Sequence, residues 1–487
     1  MHTDARDILI VSDLHLRGGF ENRTERLYHF DEEFADFLRY YRMHASARPW
    51  RLVIGGDLIE FLYITDPPAA TDPLLRGVSL RASEYRYGAG TEAQKARWKL
   101  DTILRSSHPQ LLLALARFVA EGNDIVLLRG NHDAEMFWPE VQEHFKRLIA
   151  EHHPVDVGYM AMKAAVAERV RFAEWFWYEP GLLYAEHACQ YDPFCSFEHF
   201  LNPVVPAVPT QIEMSIAELA IRYFTNQMKV MNAMAAENIK SVSEYIAWVV
   251  RDNPAILPRT LRLYGTMVWR ILEKTRAPDP AAELAVRAEH ARRVAGFDVR
   301  FGLAPGTAAA VDALHATPVM RKPIATARFL AVDLFAAGGL VALVAAVILI
   351  AYPARLGLLS VVAALAAIGL IIYVGALRFR RVTEAAALHA TAERLARLFR
   401  VPYVVFGHSH NAGVWPLPDD ATYVNVGTWV PEGEDSYFVY FAVAGEGDER
   451  AGRLWRWNKR QCEPEPFGTP SAGADPRTVA ARQSAHA

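Results

Sequence analysis

Eight side chains with metal-donor chemistry recur in short motifs: Asp13 and His15 in SDLH, Asp57 in GGD, Asn131 and His132 in GNHD, His187 in AEHACQYD, and His408 and His410 in GHSH. Asp, Asn and His supply oxygen and nitrogen donors suited to transition metals, and a carboxylate such as Asp57 can bridge two cations held close together. Residues two apart on a strand face one side. Asp13 with His15, and His408 with His410, would then approach shared ions wherever strand geometry persists. Any one of these residues alone reads as a turn cap or a satisfied core polar group. The assembled set reads as a two-metal hydrolase. Cys189, Cys195 and Cys462 form no convincing thiolate site, and no cysteine is paired with a histidine as an activated nucleophile requires. Packing or loop positioning is their reading, with redox sensitivity or auxiliary metal contact as the alternative.

The elements that must carry these residues are short apolar runs ending in acids. DILIVSD (7–13), RLVIGGD (51–57) and DIVLLRGNHD (124–133) read as buried strands delivering side chains at their carboxyl ends. Thr91 to Glu121 is helical in pattern, which makes an α/β alternation. Further strands are expected over Arg171–Tyr178, Leu182–Glu186, 401–410, Thr422–Val426, Ser436–Val443 and Arg453–Trp457. Pro203, Pro206 and Pro209 mark a boundary, after which helical spacing predominates; Met214, Met228, Met231 and Met234 are read there as packing residues.

The chain has 487 residues with 52 Lys plus Arg against 55 Asp plus Glu, a net charge of −3. That balance gives no reason to expect a nucleic-acid partner, and three cysteines in this length argue against a disulfide-built secreted scaffold. Charge is unevenly spread. Leu334–Tyr352 and Leu356–Leu377 are uncharged runs near the ~20 residues of a membrane-spanning helix, parted by Pro353, Ala354 and Arg355. They predict a transmembrane hairpin. Arg321, Lys322 and Arg328 before it and Arg378, Arg380 and Arg381 after it put both arms on the cytoplasmic side, by inference at a bacterial inner membrane.

The motif set SDLH, GGD, GNHD, a separated His and GHSH resembles the calcineurin-like metallophosphoesterase superfamily over roughly residues 7–190 and 401–458. The resemblance implies a four-layer α/β fold, two sheets flanked by helices, with one binuclear centre. It implies Asp13, His15 and His410 on one metal, Asn131, His187 and His408 on the other, and Asp57 between them. His187 is followed by Ala188 where related sequences often carry Gly. The resemblance also implies that His132 contacts the phosphoryl group or protonates the leaving oxygen, with Asp133 orienting it, and that metal-activated hydroxide attacks phosphorus. The cofactor is then a pair of divalent transition-metal ions, Mn first, with Fe, Zn or Co as alternatives.

Ser409 reads as a turn residue rather than a nucleophile. Asp192 is assigned to loop stabilisation, Arg17 to phosphate contact or surface solvation, Glu60 to a supporting role, and Asn425 and Gly427 to shaping the loop beneath the site.

SDLHL, GDLIE, RGNHD and GHSH resemble more weakly the UDP-2,3-diacylglucosamine diphosphatases, although the stretch between His187 and His408 is far longer here. The function expected is a membrane-associated phosphoesterase acting on a phosphoester or pyrophosphate, lipid-linked in one version, with membrane lipids as partners. A membrane-anchored hydrolase of a small soluble phosphoester and a noncatalytic metal-binding scaffold are the alternatives. Residues 1–200 and 401–460 are expected to be two parts of one domain, around an insertion (201–329), the hairpin (330–377) and a connector (378–400), with a loose tail at 461–487.

Overall fold

The computed structural model of the chain describes residues 6–18, 29–44, 48–63, 72–228, 253–274, 279–330, 384–430, 438–445 and 450–467, with single positions in the intervals between. Its strands are β1 (Asp7–Val11), β2 (Trp50–Ile54), β3 (Asp124–Leu127), β4 (Val170–Phe172), β5 (Phe176–Glu179), β6 (Leu183–Glu186), β7 (Val204–Val205), β8 (Val208–Ile212), β9 (Tyr403–Phe406), β10 (Gly413–Pro416), β11 (Thr422–Asn425), β12 (Val439–Ala444), β13 (Ala451–Asn458) and β14 (Glu463–Pro466). They make a seven-stranded sheet ordered β14-β13-β12-β1-β2-β3-β4, a five-stranded sheet ordered β10-β11-β9-β6-β5, and the separate pair β7-β8.

Register decides where the loops emerge. β1, β2 and β3 are parallel, with Val11 beside Ile54 and Ile54 beside Leu127, so three consecutive loops leave the large sheet at one level. In the small sheet β6, β9 and β11 are parallel, with Glu186 beside Phe406 and Phe406 beside Asn425. Carboxyl ends of parallel strands are where open α/β sheets form their sites.

Period-2 alternation sorts the strand residues into layers. Ile8 and Ile10 of β1 pack in one cluster with Leu183, Ala185, Val405 and Val424 of the other sheet, so the sheets lie face to face. Leu9 and Val11 point the other way, into a cluster with Phe34, Phe37, Leu100, Leu115 and Phe145 from the helices Asp31–Met43, Ala93–Ser107, Pro109–Ala120 and Pro139–Glu151. Burying each such aromatic contributes about 2–3 kcal/mol. On the far side, Val294, Phe297, Leu395 and Phe399 of helices Pro280–Phe301 and Glu384–Phe399 cover Tyr184, Val404 and Phe406. The helices Ile216–Tyr223 and Leu257–Lys274 enclose a cluster of their own that includes Met228, with Met214 at its margin. Met231 and Met234 lie outside the described residues.

Two expectations are revised. The α/β class stands, but the transmembrane hairpin does not: among the described residues no helix is long and apolar enough to cross a membrane. The longest, Pro280–Phe301, carries Glu283, Arg287, Glu289, Arg292, Arg293, Asp298 and Arg300, which a hydrocarbon core would not accept. The runs at 334–352 and 356–377 fall outside the described residues apart from five single positions. The expected membrane association, two-span topology and inner-membrane location accordingly have no spanning helix among the described residues to support them. The second revision concerns the expected tail from residue 461, which begins with order: Glu463–Pro466 pairs antiparallel with β13.

Candidate metal centre

The loops after β1 and β2 run side by side. Main-chain N–H groups of Asp13, His15 and Leu16 donate to the carbonyls of Gly56, Asp57 and Leu58, and Glu60 N–H donates back to Leu16. β1 has already ended at Val11, so Asp13 and His15 are aimed by turns rather than by strand alternation. Asp13, His15, Asp57, His408 and His410 all have positive φ, between 45° and 66°. Non-glycine residues avoid that region at a cost of order 1–3 kcal/mol each, and residues so held cluster at functional sites. Gly130 is required beside them, because a Cβ there would collide with the Asp57 carboxylate.

The side chains converge. His410 Nε2 lies 3.2 Å from Asp13 Oδ1 and 3.1 Å from His15 Nε2. Nε2 of His187 lies 3.1 Å from Asp57 Oδ2 and 3.3 Å from Asn131 Oδ1. Three overlapping groups result: Asp13 with His15 and His410, Asp13 with Asp57 and His187, and His15 with Asp57 and His132. Two ligands on one tetrahedral ion at ~2.05 Å sit roughly 3.3 Å apart, which is the spacing these donors already have.

Proton positions suit the same conclusion. His187 Nδ1 is 2.9 Å from the carbonyl of Gly55, which can only accept, so Nδ1 carries a proton and Nε2 is the atom turned to Asp57 and Asn131. His15 Nδ1 likewise meets Glu60 Oε2 at 3.1 Å, leaving Nε2 to face His410. Asp13 Oδ1 is buried, with His410 Nε2 3.2 Å away. Burial opposes ionisation of Asp13, yet His187 and His410 hold it down at about 2; Asp57, also against burial, is held well below the usual range by His187 and His132. In reverse, His187 is pushed up to about 9 by Asp57 and Asp13 in spite of its burial. The ion-pair partners of these carboxylates among the described residues are imidazoles rather than Lys or Arg. Buried anions so partnered fit cations in their midst.

The remaining residues fall into place around this centre. His132 donates its backbone N–H to Asp57 Oδ1 at 2.8 Å, and its Nδ1 meets Glu60 Oε2 at 2.7 Å. The Asp133 carboxylate accepts instead from the N–H groups of Leu58 and Gly130, at 2.9 and 2.7 Å. Burial first and the nearby Asp57 charge second raise it to about 7. His408 gives its N–H to Asp13 Oδ2 at 3.0 Å, while its Nε2 turns to Asp192 Oδ2 at 3.3 Å, in a group completed by Cys195. Arg17 stacks on Tyr63 at 3.7 Å and reaches Glu60 at 4.0 Å, within the fold rather than in solvent. Asn425 Nδ2 donates to Gly407 O at 2.7 Å and Ser409 Oγ at 3.0 Å, and Asn425 Oδ1 accepts from Gly427 N–H at 3.0 Å, fixing the GHSH turn.

Glu60, given a supporting role from sequence, has that role made specific by its contacts to Nδ1 of His15 and His132. The signal for it was its spacing, three after Asp57, on a loop that bridges Leu16 to Ile59. It is wholly buried, and although burial opposes it, His132, His15 and Arg17 hold its carboxyl at about 2.

No protein-family model matches the chain, and no curated protein matches it. What the structure establishes is therefore carried by the site: an α/β protein with adjoining His, Asp and Cys clusters able to chelate divalent metal ions, as a metal-dependent enzyme site requires.

Proposed function

We propose that the protein is a two-metal phosphoesterase of the calcineurin-like type, hydrolysing a phosphoester or pyrophosphate. One observation carries the reading: Asp13 and Asp57 each belong to two overlapping donor groups, so the groups describe two adjacent ion positions rather than one. Asp13, His15 and His410 would hold the first ion, Asn131 and His187 the second with His408 in reach, and Asp57 would lie between them. Bound there, divalent cations such as Mn²⁺ would polarise a phosphoryl oxygen and activate water at neutral pH. Residues 1–200 and 401–460 act as one catalytic domain in this reading, supported by the pairing of β1 with β12 and of β6 with β9.

The chain's own groups supply the rest. Glu60, ionised and accept-only, takes the Nδ1 proton of His132 and so keeps Nε2 as the atom that exchanges a proton with the leaving oxygen. Asp133 holds the GNHD loop against the GGD loop and sets the height of both. Ser409 is engaged by Asn425 and is not needed as a nucleophile.

The test is a full-length preparation stripped of metal, reloaded with Mn²⁺, Fe²⁺, Zn²⁺ or Co²⁺, and assayed on monoesters, diesters and pyrophosphates. Asp57→Asn should lose bound metal and turnover together. A wild-type chain that takes up no metal, or an Asp57→Asn chain with full turnover, refutes the reading.

A further inference from the structure

Along β6 and just past it, alternation splits successive side chains between two faces. Leu183 and Ala185 pack between the sheets, whereas Tyr184 points into the cluster under the outer helices, and Glu186 follows it two residues on. His187, next in line, comes out on the side of the centre, with Nδ1 2.9 Å from Gly55 O. Glu186 is thus turned away from the donors that His187 joins. Its carboxylate is engaged on both oxygens: Oε1 accepts from Trp175 Nε1 at 3.0 Å, and Oε2 from the hydroxyls of Tyr184 and Tyr191, each at 2.7 Å. All four residues are buried, and the ion-pair partner of Glu186 among the described residues is His315, 4.0 Å away. Of the two hydroxyls on Oε2, one comes from the strand itself and the other from beyond a turn. The chain reverses at Ala188, whose φ is 82°, and continues through a single helical turn, Cys189–Tyr191, in which Tyr191 N–H donates to Ala188 O at 3.1 Å. A residue with a Cβ avoids that backbone region, and glycine enters it freely. The Ala188 methyl offers no bond to hold it there. The bond from Tyr191 to Glu186 does, tying the far end of the turn to the strand residue just before His187.

We propose that Glu186 is a positioning residue for His187, acting through Tyr191 to keep Ala188 in the left-handed conformation that glycine would adopt unaided. The inference rests on the two-metal reading above, in which His187 binds one of the ions. A metal-binding imidazole has to be held within roughly 0.5 Å of its productive place, and its direction follows the backbone on both sides of its own Cα. Glu186 lies on one side and Ala188 on the other, and the clamp spans both. Tyr184 is the internal comparison: it gives the same oxygen a bond of the same length from within β6, and it closes no turn.

Stepwise Mn²⁺ titration of the metal-free, full-length chain against a chromogenic chelator measures the two equivalents and needs no substrate. Tyr191→Phe should weaken one equivalent about tenfold or more and leave the other within about threefold, the size of effect expected when a group supporting a metal ligand is lost. Tyr184→Phe should leave both within about threefold although it breaks an equal bond, a contrast that a role confined to packing would not produce. Adding Ala188→Gly to Tyr191→Phe should return the weakened equivalent to within about threefold of wild type, because glycine needs no clamp at that φ. Glu186→Gln keeps the volume, should reproduce the selective loss, and decides the matter where Tyr191→Phe folds poorly. A wild-type chain that binds no metal pair fails the two-metal reading itself. With the pair bound, affinities indifferent to Tyr191→Phe and Glu186→Gln, an equal loss in Tyr184→Phe, or no recovery on adding Ala188→Gly overturns this inference alone.

Discussion

Replacing Glu60 by Gln removes one negative charge and almost no volume. In the native site its Oε2 takes the Nδ1 protons of both His15 and His132, at 3.1 and 2.7 Å. A neutral hydrogen bond is worth about 1 kcal/mol and a charge-assisted one roughly twice that, so Gln gives up about 1 kcal/mol per bond and about 2 kcal/mol in all. At 1.4 kcal/mol per tenfold, this is a loss of about 30-fold, shared between cation affinity through His15 and turnover through His132. The assays are competitive metal titration against a chromogenic chelator and kcat/KM on a generic phosphodiester at saturating metal. Glu60→Gln should weaken the first and reduce the second while leaving the unfolding midpoint of the metal-free chain nearly unchanged. Affinity and kcat/KM both within about threefold of wild type would show that the imidazoles are aimed by their loops alone.

Three other perturbations separate site from scaffold. Lys99 and Glu135 form a buried pair at 3.0 Å, so Lys99→Met should cost about 3–5 kcal/mol in denaturant unfolding, and adding Glu135→Leu should recover much of it. Gly130→Ala should reduce cation affinity more than tenfold with a smaller effect on unfolding, because its Cβ meets Asp57 rather than the core. Glu213 is raised by burial to about 7 from its ordinary 4.5, among Arg321, Glu198 and Glu283. With the folded value raised, its favourable protonated state is fully present below about 4.5 and is lost as pH climbs through 7. Glu213→Gln should therefore stabilise the protein by roughly 3 kcal/mol at about pH 8.5 and do nothing at about pH 4, as thermal melts at the two values would show.

The strands that frame the centre were legible because each is a short apolar run ended by a motif, and seven of the eight donors in those motifs meet in the overlapping groups or touch them. His408 is the exception in its partners, since Asp192 and Cys195 claim its Nε2. Sequence spacing misjudged the mechanism of aim: Asp13 and His15 were placed by strand alternation, whereas backbone at positive φ sets them. Glu60 was given only a supporting role because an acid in GDLIE looks ordinary until His15 and His132 are laid beside it. The hairpin expected over Leu334–Leu377 finds no spanning helix among the described residues, and the segment itself lies outside them apart from five single positions.

The two sheets also impose an order on biosynthesis. β1 needs β12 on one flank, and β6 needs β9, so a nascent chain that has emerged only through His187 presents two unpaired strand edges at once. At ~5–20 residues per second, roughly 10–45 s of translation separate His187 from His408. Over that interval the half-built core invites chaperone holding or self-association, and ligands from only one arm face any available cation. The strand that closes the small sheet delivers His408 and His410 within four residues of its end. Cation capture and closure of the core are thus bound to the same late moment in the life of the chain.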